Sequence, residues 1–235
     1  MPASALVLFD IDGTLVRRAG PHHREVLVDA IRQVTGLETT TDGIPLHGML
    51  DPDILTEMMR RVGVSSKRTR RVMPEVIEQA QRMYVRCCPD LRRKTCPGVR
   101  MVLQRLHRRG VVAGLVTGNL VRIGWKKMER AGLKHHFRFG AFAGMAPDRA
   151  ALAALAIRHA RRERWIRPGT PISLVGDAPT DIAAAKANGI RSVAVETGIS
   201  TREELAALAP DVLLPSLQDL QLEEFFFGEG AFGGA

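Results

Sequence analysis

Short apolar runs separated by longer stretches of helical period set the frame of this chain. Residues 5–10, ALVLFD, are apolar up to a terminal aspartate and too short for a helix, so they read as a buried strand. Similar runs predict strands at 111–116, 138–143, 172–175, 190–195 and 211–214. Between them the period changes to that of a helix. Over 21–34 the spacing places Val26, Leu27, Ala30, Ile31 and Val34 on one face. A second helix is predicted over 52–62, with Asp51 as its cap and Pro52 at its first position, and a third over 74–85. Further helices are predicted over 99–109, 120–131, 147–162, 180–188 and 202–208, with Gly110, Gly132 and Gly189 closing three of them.

Strands alternating with helices predict an α/β fold, a Rossmann-like parallel sheet with helices on both faces. The stretch 17–95 breaks the alternation, because it holds helical patterns and no strand. It reads as an inserted all-helical cap domain, so the core is expected to comprise residues 1–16 and 96–235. Three phenylalanines at 225–227 are expected to dock on the core, and the Gly-rich tail 228–235 to be mobile.

Composition narrows the class. A chain of 235 residues with 45% hydrophobic content can bury one sizeable core and a small accessory domain. No apolar run approaches the roughly 20 residues of a membrane span. The first strand starts almost at the N-terminus, so no secretion leader is expected. Cys87, Cys88 and Cys96 form no CxxC pair, which argues against disulfides and zinc and for a reducing cytoplasm. The net charge of +9 comes from arginine clusters scattered along the chain, while aromatics are only 5%. That pattern lacks the stacking platform of a single-strand binder. It reads as a solvated basic surface that steers anionic substrates, with no specific nucleic-acid partner expected. A basic nucleic-acid-binding protein is the rival reading from a different class.

The chemistry lies at the strand ends. Parallel strands end along one edge, where open α/β sheets bind ligands. After the first apolar run comes Asp10-Ile11-Asp12-Gly13-Thr14. After GLV comes Thr117-Gly118-Asn119, and after ISLVG come Asp177 and then Asp181. If these strands are neighbours, several carboxylates and a hydroxyl converge. Like charges share a site when a hard cation sits among them, and oxygen-only ligation suits Mg²⁺. A carboxylate left free can act as a nucleophile toward phosphorus. Thr117, Gly118 and Asn119 are placed at a predicted helix start, where backbone N–H groups bind phosphate.

DIDGT, VTGN and GDAPTD, in this order, resemble the first, second and fourth motifs of the haloacid dehalogenase superfamily, which consists mostly of Mg²⁺-dependent phosphatases. The insert resembles the helical cap of its phosphoglycolate phosphatase and phosphoglucomutase branch. The resemblance implies a phosphomonoester hydrolase acting on a small phosphorylated metabolite through an aspartyl-phosphate. Asp10 is then the nucleophile and Asp12 the acid and base. Asp10, the backbone carbonyl of Asp12, Asp177 and Asp181 are the implied metal ligands. Thr117 is the implied phosphate ligand, with Gly118 and Asn119 beside it.

The third motif, a lysine before the long helix, is missing. Met145-Ala146-Pro147-Asp148-Arg149 stands there. Lys127, in the helix after Thr117, and Arg149 are the two candidates for its role, with Lys127 preferred. Lys126 lies about 100° further round that helix and reads as a surface residue. In the cap, His47-Gly48-Met49-Leu50-Asp51 resembles a Gly-x-Thr-Asp motif with leucine in place of threonine. His22 and His23 could face the cleft, but surface positions are preferred for both. Cys96-Pro97-Gly98 marks the return to the core and reads as a hinge. Within the family, a phosphomutase or a phosphonate hydrolase is the alternative. The latter needs a cap lysine, for which Lys67 and Lys94 are the candidates. A monomer or a homodimer is expected.

Overall fold

The computed structural model describes residues 3–17 and 20–222. The sheet has six parallel strands in the order β3-β2-β1-β4-β5-β6. They are β1 (Leu6–Phe9), β2 (Val112–Leu120), β3 (Phe139–Ala143), β4 (Ile172–Gly176), β5 (Arg191–Val195) and β6 (Val212–Leu214). Every residue of β1 is buried, as expected of a central strand covered on both faces. Leu6 is aligned with Val112 on one side and Ile172 on the other. The order reverses at β1, so the tips of β1, β2 and β4 stand together at the switch point.

Eight α-helices accompany the sheet among the described residues. Helices α1 (His22–Thr35), α2 (Asp51–Arg61) and α3 (Ser66–Cys87) lie between β1 and β2 in sequence. They pack on one another and form the inserted helical cap. The other five are α4 (Val99–Arg108), α5 (Val121–Ala131), α6 (Arg149–Arg162), α7 (Pro179–Ala187) and α8 (Arg202–Ala206). One apolar cluster runs from Phe9, Ile11 and Leu15 of the core through Leu27, Met58 and Tyr84 of the cap. The cap is thus seated on the sheet edge. Two connections join it to the core side by side. Val16 bridges Thr95 in antiparallel sense, and the Arg17 N–H donates to the carbonyl of Lys94 at 2.7 Å. At the second connection Gly98 adopts a positive φ of 78°, and a Cβ there would overlap the backbone of Gln218.

Three expectations need correction. Helix α3 begins at Ser66, eight residues before Pro74, with the Ser65 hydroxyl accepting from the Arg68 N–H at 3.4 Å. Pro74 sits inside this helix on its exposed side, where the carbonyl it leaves unpaired can meet water. The basic run at 67–71 hid the first two turns, because it shows no apolar stripe.

Strand β2 extends to Leu120, so Thr117, Gly118 and Asn119 belong to the strand and not to a helix start. Its pairing with β3 shifts register between Thr117 and Leu120, and this irregularity re-aims the strand end. Asp51 is the first residue of α2, with Leu50 at the cap position. Its side chain points to the core instead of capping the helix. The phenylalanines at 225–227 and the tail 228–235 lie outside the described residues.

Candidate active site

Asp10 follows β1 directly and is buried. The chain then folds back within six residues. The N–H groups of Leu15 and Val16 both donate to the Ile11 carbonyl at 2.9 Å, and Gly13 supplies a φ of 87°. A Cβ on Gly13 would overlap the Asp177 carboxylate, so this glycine lets the loop lie against the tip of β4. The turn also separates the two aspartates, which strict alternation would have placed on one side.

Asp10 joins an acidic cluster with Asp177, after β4, and Asp181, in the first turn of α7. One oxygen from each of the three buried carboxylates lies within 4.8 Å of the others. The Thr14 hydroxyl donates to Asp177 at 2.8 Å, and the Ala178 N–H donates to Asp181 at 3.1 Å. Asp177 Oδ2 and Asp181 Oδ1 are buried without a hydrogen-bond partner. Burial, and then the Asp10 carboxylate, push Asp177 well above the ordinary carboxylate range. Burial chiefly pushes Asp181 up to about 7, against the pull of Arg149. Buried carboxylate oxygens with no donor are costly unless a cation takes them. An oxygen-only set of this kind fits a hard divalent cation.

Asp12 points elsewhere. Lys127 Nζ lies 2.7 and 2.6 Å from its two oxygens, and Asn119 Nδ2 donates to it at 2.8 Å. Partial burial works to raise its pKa, but Lys127 prevails and holds it below the ordinary value. Its carboxylate is therefore not part of the acidic cluster. Lys127 is fully buried and also donates to Asn119 Oδ1 at 2.7 Å. It continues the buried stripe of Ile123, Gly124, Met128 and Ala131 on α5, whereas Lys126 pairs with Glu129 at the surface.

Arg149, the first residue of α6, serves the other aspartate. Its Nη1 donates to Asp10 Oδ1 at 2.7 Å and to the Val116 carbonyl at 3.1 Å, and its Nε lies 3.5 Å from Asp181 Oδ1. Burial works against its charge, but Asp10 and Asp181 hold its pKa above the ordinary arginine value. Both candidates for the missing third motif thus reach the site, one on each aspartate. Thr117 is buried at the tip of β2, and its hydroxyl accepts from Asn119 Nδ2 at 2.8 Å and from the Asn119 N–H at 3.4 Å. That N–H is therefore engaged, unlike the free helix-start donor expected from the sequence.

The cap adds residues that the sequence reading set aside. His23 Nδ1 lies 3.1 Å from Lys127 Nζ, and its Nε2 lies 3.1 Å from Asp51 Oδ2. An ammonium can only donate, so Nδ1 accepts and Nε2–H donates to Asp51. Asp51 also accepts the Leu120 N–H at 2.8 Å. His23 is thus a site residue and not a surface one. The signal was present in the period, since His23 precedes Val26 and Leu27 by three and four positions on the buried face of α1. His22 stays at the surface beside Glu25. His47 hydrogen-bonds the Ser200 hydroxyl at 2.9 Å and lies 3.7 Å from Asp177. Gly118 lies so close to the Met49 carbonyl that a Cβ would overlap it.

A match to known proteins decides the family. The model of the haloacid dehalogenase-like hydrolases matches residues 5–189. This chain is a haloacid dehalogenase-like hydrolase. It is 30% identical to the phosphoglycolate phosphatase of Synechococcus elongatus over 217 residues, which cover 91% of this chain and 94% of that protein. Among solved structures, β-phosphoglucomutase from Clostridium difficile aligns with a TM-score of 0.69 at 17% identity, covering 95% of each chain. CbbY from Rhodobacter sphaeroides, solved with phosphate, aligns with a TM-score of 0.69 at 19% identity, covering 92% of this chain and 95% of that one. The hydrolase has the fold of its family. No helix among its described residues is long and apolar enough to cross a membrane.

Proposed function

We propose that this hydrolase cleaves the phosphate ester of a small phosphorylated metabolite, of the kind for which its phosphoglycolate phosphatase relatives are named. The carrying observation is the division of two neighbouring aspartates between two environments. Asp10 stands with the acidic cluster and Arg149, and Asp12 stands apart with Lys127. Groups of one type in contrasting surroundings can take contrasting roles.

Asp10, Asp177 and Asp181 would hold Mg²⁺, with the Asp12 carbonyl as a further ligand. The ion would neutralise charge on the phosphoryl oxygens. Arg149 holds the Asp10 carboxylate in place, as an aimed nucleophile requires. An Asp10 oxygen attacks phosphorus while the bond to the ester oxygen breaks, and protonated Asp12 gives its proton to the departing oxygen. Lys127 opposes that protonated state while it stays on Asp12. The incoming phosphoryl group competes for the ammonium and so releases Asp12 to carry the proton. Water then attacks phosphorus, Asp12 takes a proton from it, and the bond from phosphorus to Asp10 breaks. Inorganic phosphate leaves and Asp10 is regenerated. Thr117 and the backbone of Gly118 would hold phosphoryl oxygens.

The module 17–95 acts as the cap that covers this chemistry, hinged at the paired connections near Val16 and Thr95. Three cysteines without a disulfide among the described residues support placement in a reducing cytoplasm. A phosphate-release screen over a metabolite panel tests the reading. Release is expected with Mg²⁺, and neither after chelation nor from the Asp10→Asn protein. Failure to cleave any ester would overturn it.

A further inference from the structure

A lysine ammonium has three N–H donors and no acceptor, and in Lys127 all three are taken. Its Nζ lies 2.6 and 2.7 Å from the two oxygens of Asp12, 2.7 Å from Asn119 Oδ1 and 3.1 Å from His23 Nδ1. The ring of Tyr84, a fully buried cap residue, lies 5.9 Å from the ammonium. A phosphoryl oxygen that reaches Lys127 is therefore one acceptor too many, and one of the present partners must leave.

The partners are not equally free to leave. His23 is pinned from behind. Its Nε2–H donates to Asp51 at 3.1 Å, Asp51 accepts the Leu120 N–H at 2.8 Å, and the Tyr84 ring packs against the imidazole with centroids 5.5 Å apart. Asn119 is buried, and its Nδ2 donates to the Thr117 hydroxyl at 2.8 Å. Asp12 stands on the open side. Its side chain is 41% exposed, against 1% for Lys127, so water can replace the contact it gives up.

We infer that His23 is a positioning residue that acts through Lys127: by filling one donor of the ammonium, it makes the incoming phosphoryl group displace Asp12 and no other partner. This rests on the phosphatase reading above and adds what frees Asp12 to protonate the departing oxygen. His23 and Asp51 both belong to the inserted cap, so that donor is filled only while the cap is seated. Without His23 the ammonium serves the phosphoryl group and Asp12 together, and Asp12 stays paired.

Esters that differ in their need for a proton test this. A departing alkoxide depends on a general acid, whereas p-nitrophenolate leaves without one. In His23→Phe the ratio of kcat/KM for the best-cleaved alkyl phosphate to that for p-nitrophenyl phosphate should fall at least about tenfold. His23→Gln, whose side-chain oxygen can accept from Lys127, should recover most of that ratio. Damage to packing alone slows both esters alike. An unchanged ratio in His23→Phe, or the same fall in His23→Gln, would overturn the inference. A crystal structure of the wild type with inorganic phosphate needs neither variant nor turnover. It should show Lys127 bonded to phosphate, Asn119 and His23, with Asp12 beyond hydrogen-bond distance. Displacement of His23 with Asp12 still paired, or no phosphate on Lys127, would overturn the inference. The two claims fail separately. Displacement of Asp12 by phosphate, with no ester cleaved by the wild type, would keep the role of His23 and remove the phosphatase reading. Cleavage of alkyl esters with a ratio indifferent to His23→Phe would do the reverse.

Discussion

The ammonium of Lys127 lies 2.6 Å from one oxygen of Asp12 and 2.7 Å from the other, inside a helix stripe that is otherwise apolar. A fully buried lysine of this kind is held in place by its partners, here Asp12, Asn119 and His23. Lys127→Met should lower kcat about 100-fold or more, in line with the loss of one aimed donor at a reacting phosphoryl group. Lys126→Met should change kcat little, since its partner Glu129 is a surface residue. Rates at saturating substrate check both.

The acidic cluster makes a claim about metal removal. Two of its buried oxygens have no donor, and a cation binding there stabilises only the folded chain. Mg²⁺ at a hundredfold excess over its Kd should add about 2.7 kcal/mol to wild-type stability. Asp177→Asn should abolish that gain. Denaturant unfolding with and without Mg²⁺ measures it, and the same gain in both proteins would place the ion elsewhere.

How much of this site was legible beforehand differs residue by residue. Asp10, Asp12, Thr117, Asp177 and Asp181 were readable because each follows a short apolar run, and a parallel sheet brings such ends together. The separation of Asp10 from Asp12 was not readable, because the turn at Gly13 overrides strand alternation. Arg149 and Lys127 could be named as candidates, but the choice between them depended on which aspartate each would reach. The period set His23 on the buried face of α1, but its partners and the role of Asp51 were hidden because they come from cap residues meeting the core. Helix α3 lost its first turns to a basic run with no stripe.

Closure of the cap over the sheet depends on a missing side chain. Gly118 faces the Met49 carbonyl at a distance that leaves no room for a Cβ. Gly118→Ala should keep the fold, since strand residues tolerate alanine, but should hold the 46–50 loop away from the site. A displacement of this kind should lower kcat/KM by about tenfold or more. Circular dichroism and steady-state kinetics on the variant check the two halves of the prediction.

At the far edge of the sheet, Asp211 ties β6 to β5. It accepts the N–H and the hydroxyl of Ser192, both at 2.7 Å. The Ser192 N–H, then its hydroxyl, hold the Asp211 carboxyl below its ordinary value. A depressed folded pKa contributes stability above the ordinary carboxylate range, and that stability is lost as the pH falls through the depressed value. Asp211→Asn should therefore be less stable than the wild type at pH 7, by under about 1 kcal/mol at so exposed a site. The gap should close in acid. Unfolding curves for the pair across pH test this, and a gap that widens in acid would refute it.

The central claim is that Asp10 carries the phosphoryl group during turnover. Acid-quenched mass spectrometry of the Mg²⁺-loaded protein mixed with a cleaved ester tests it most directly. The account predicts a phosphoryl adduct confined to the peptide that contains Asp10, absent from Asp10→Asn, which should also release no phosphate. Full turnover by Asp10→Asn, or an adduct on another residue, would contradict it.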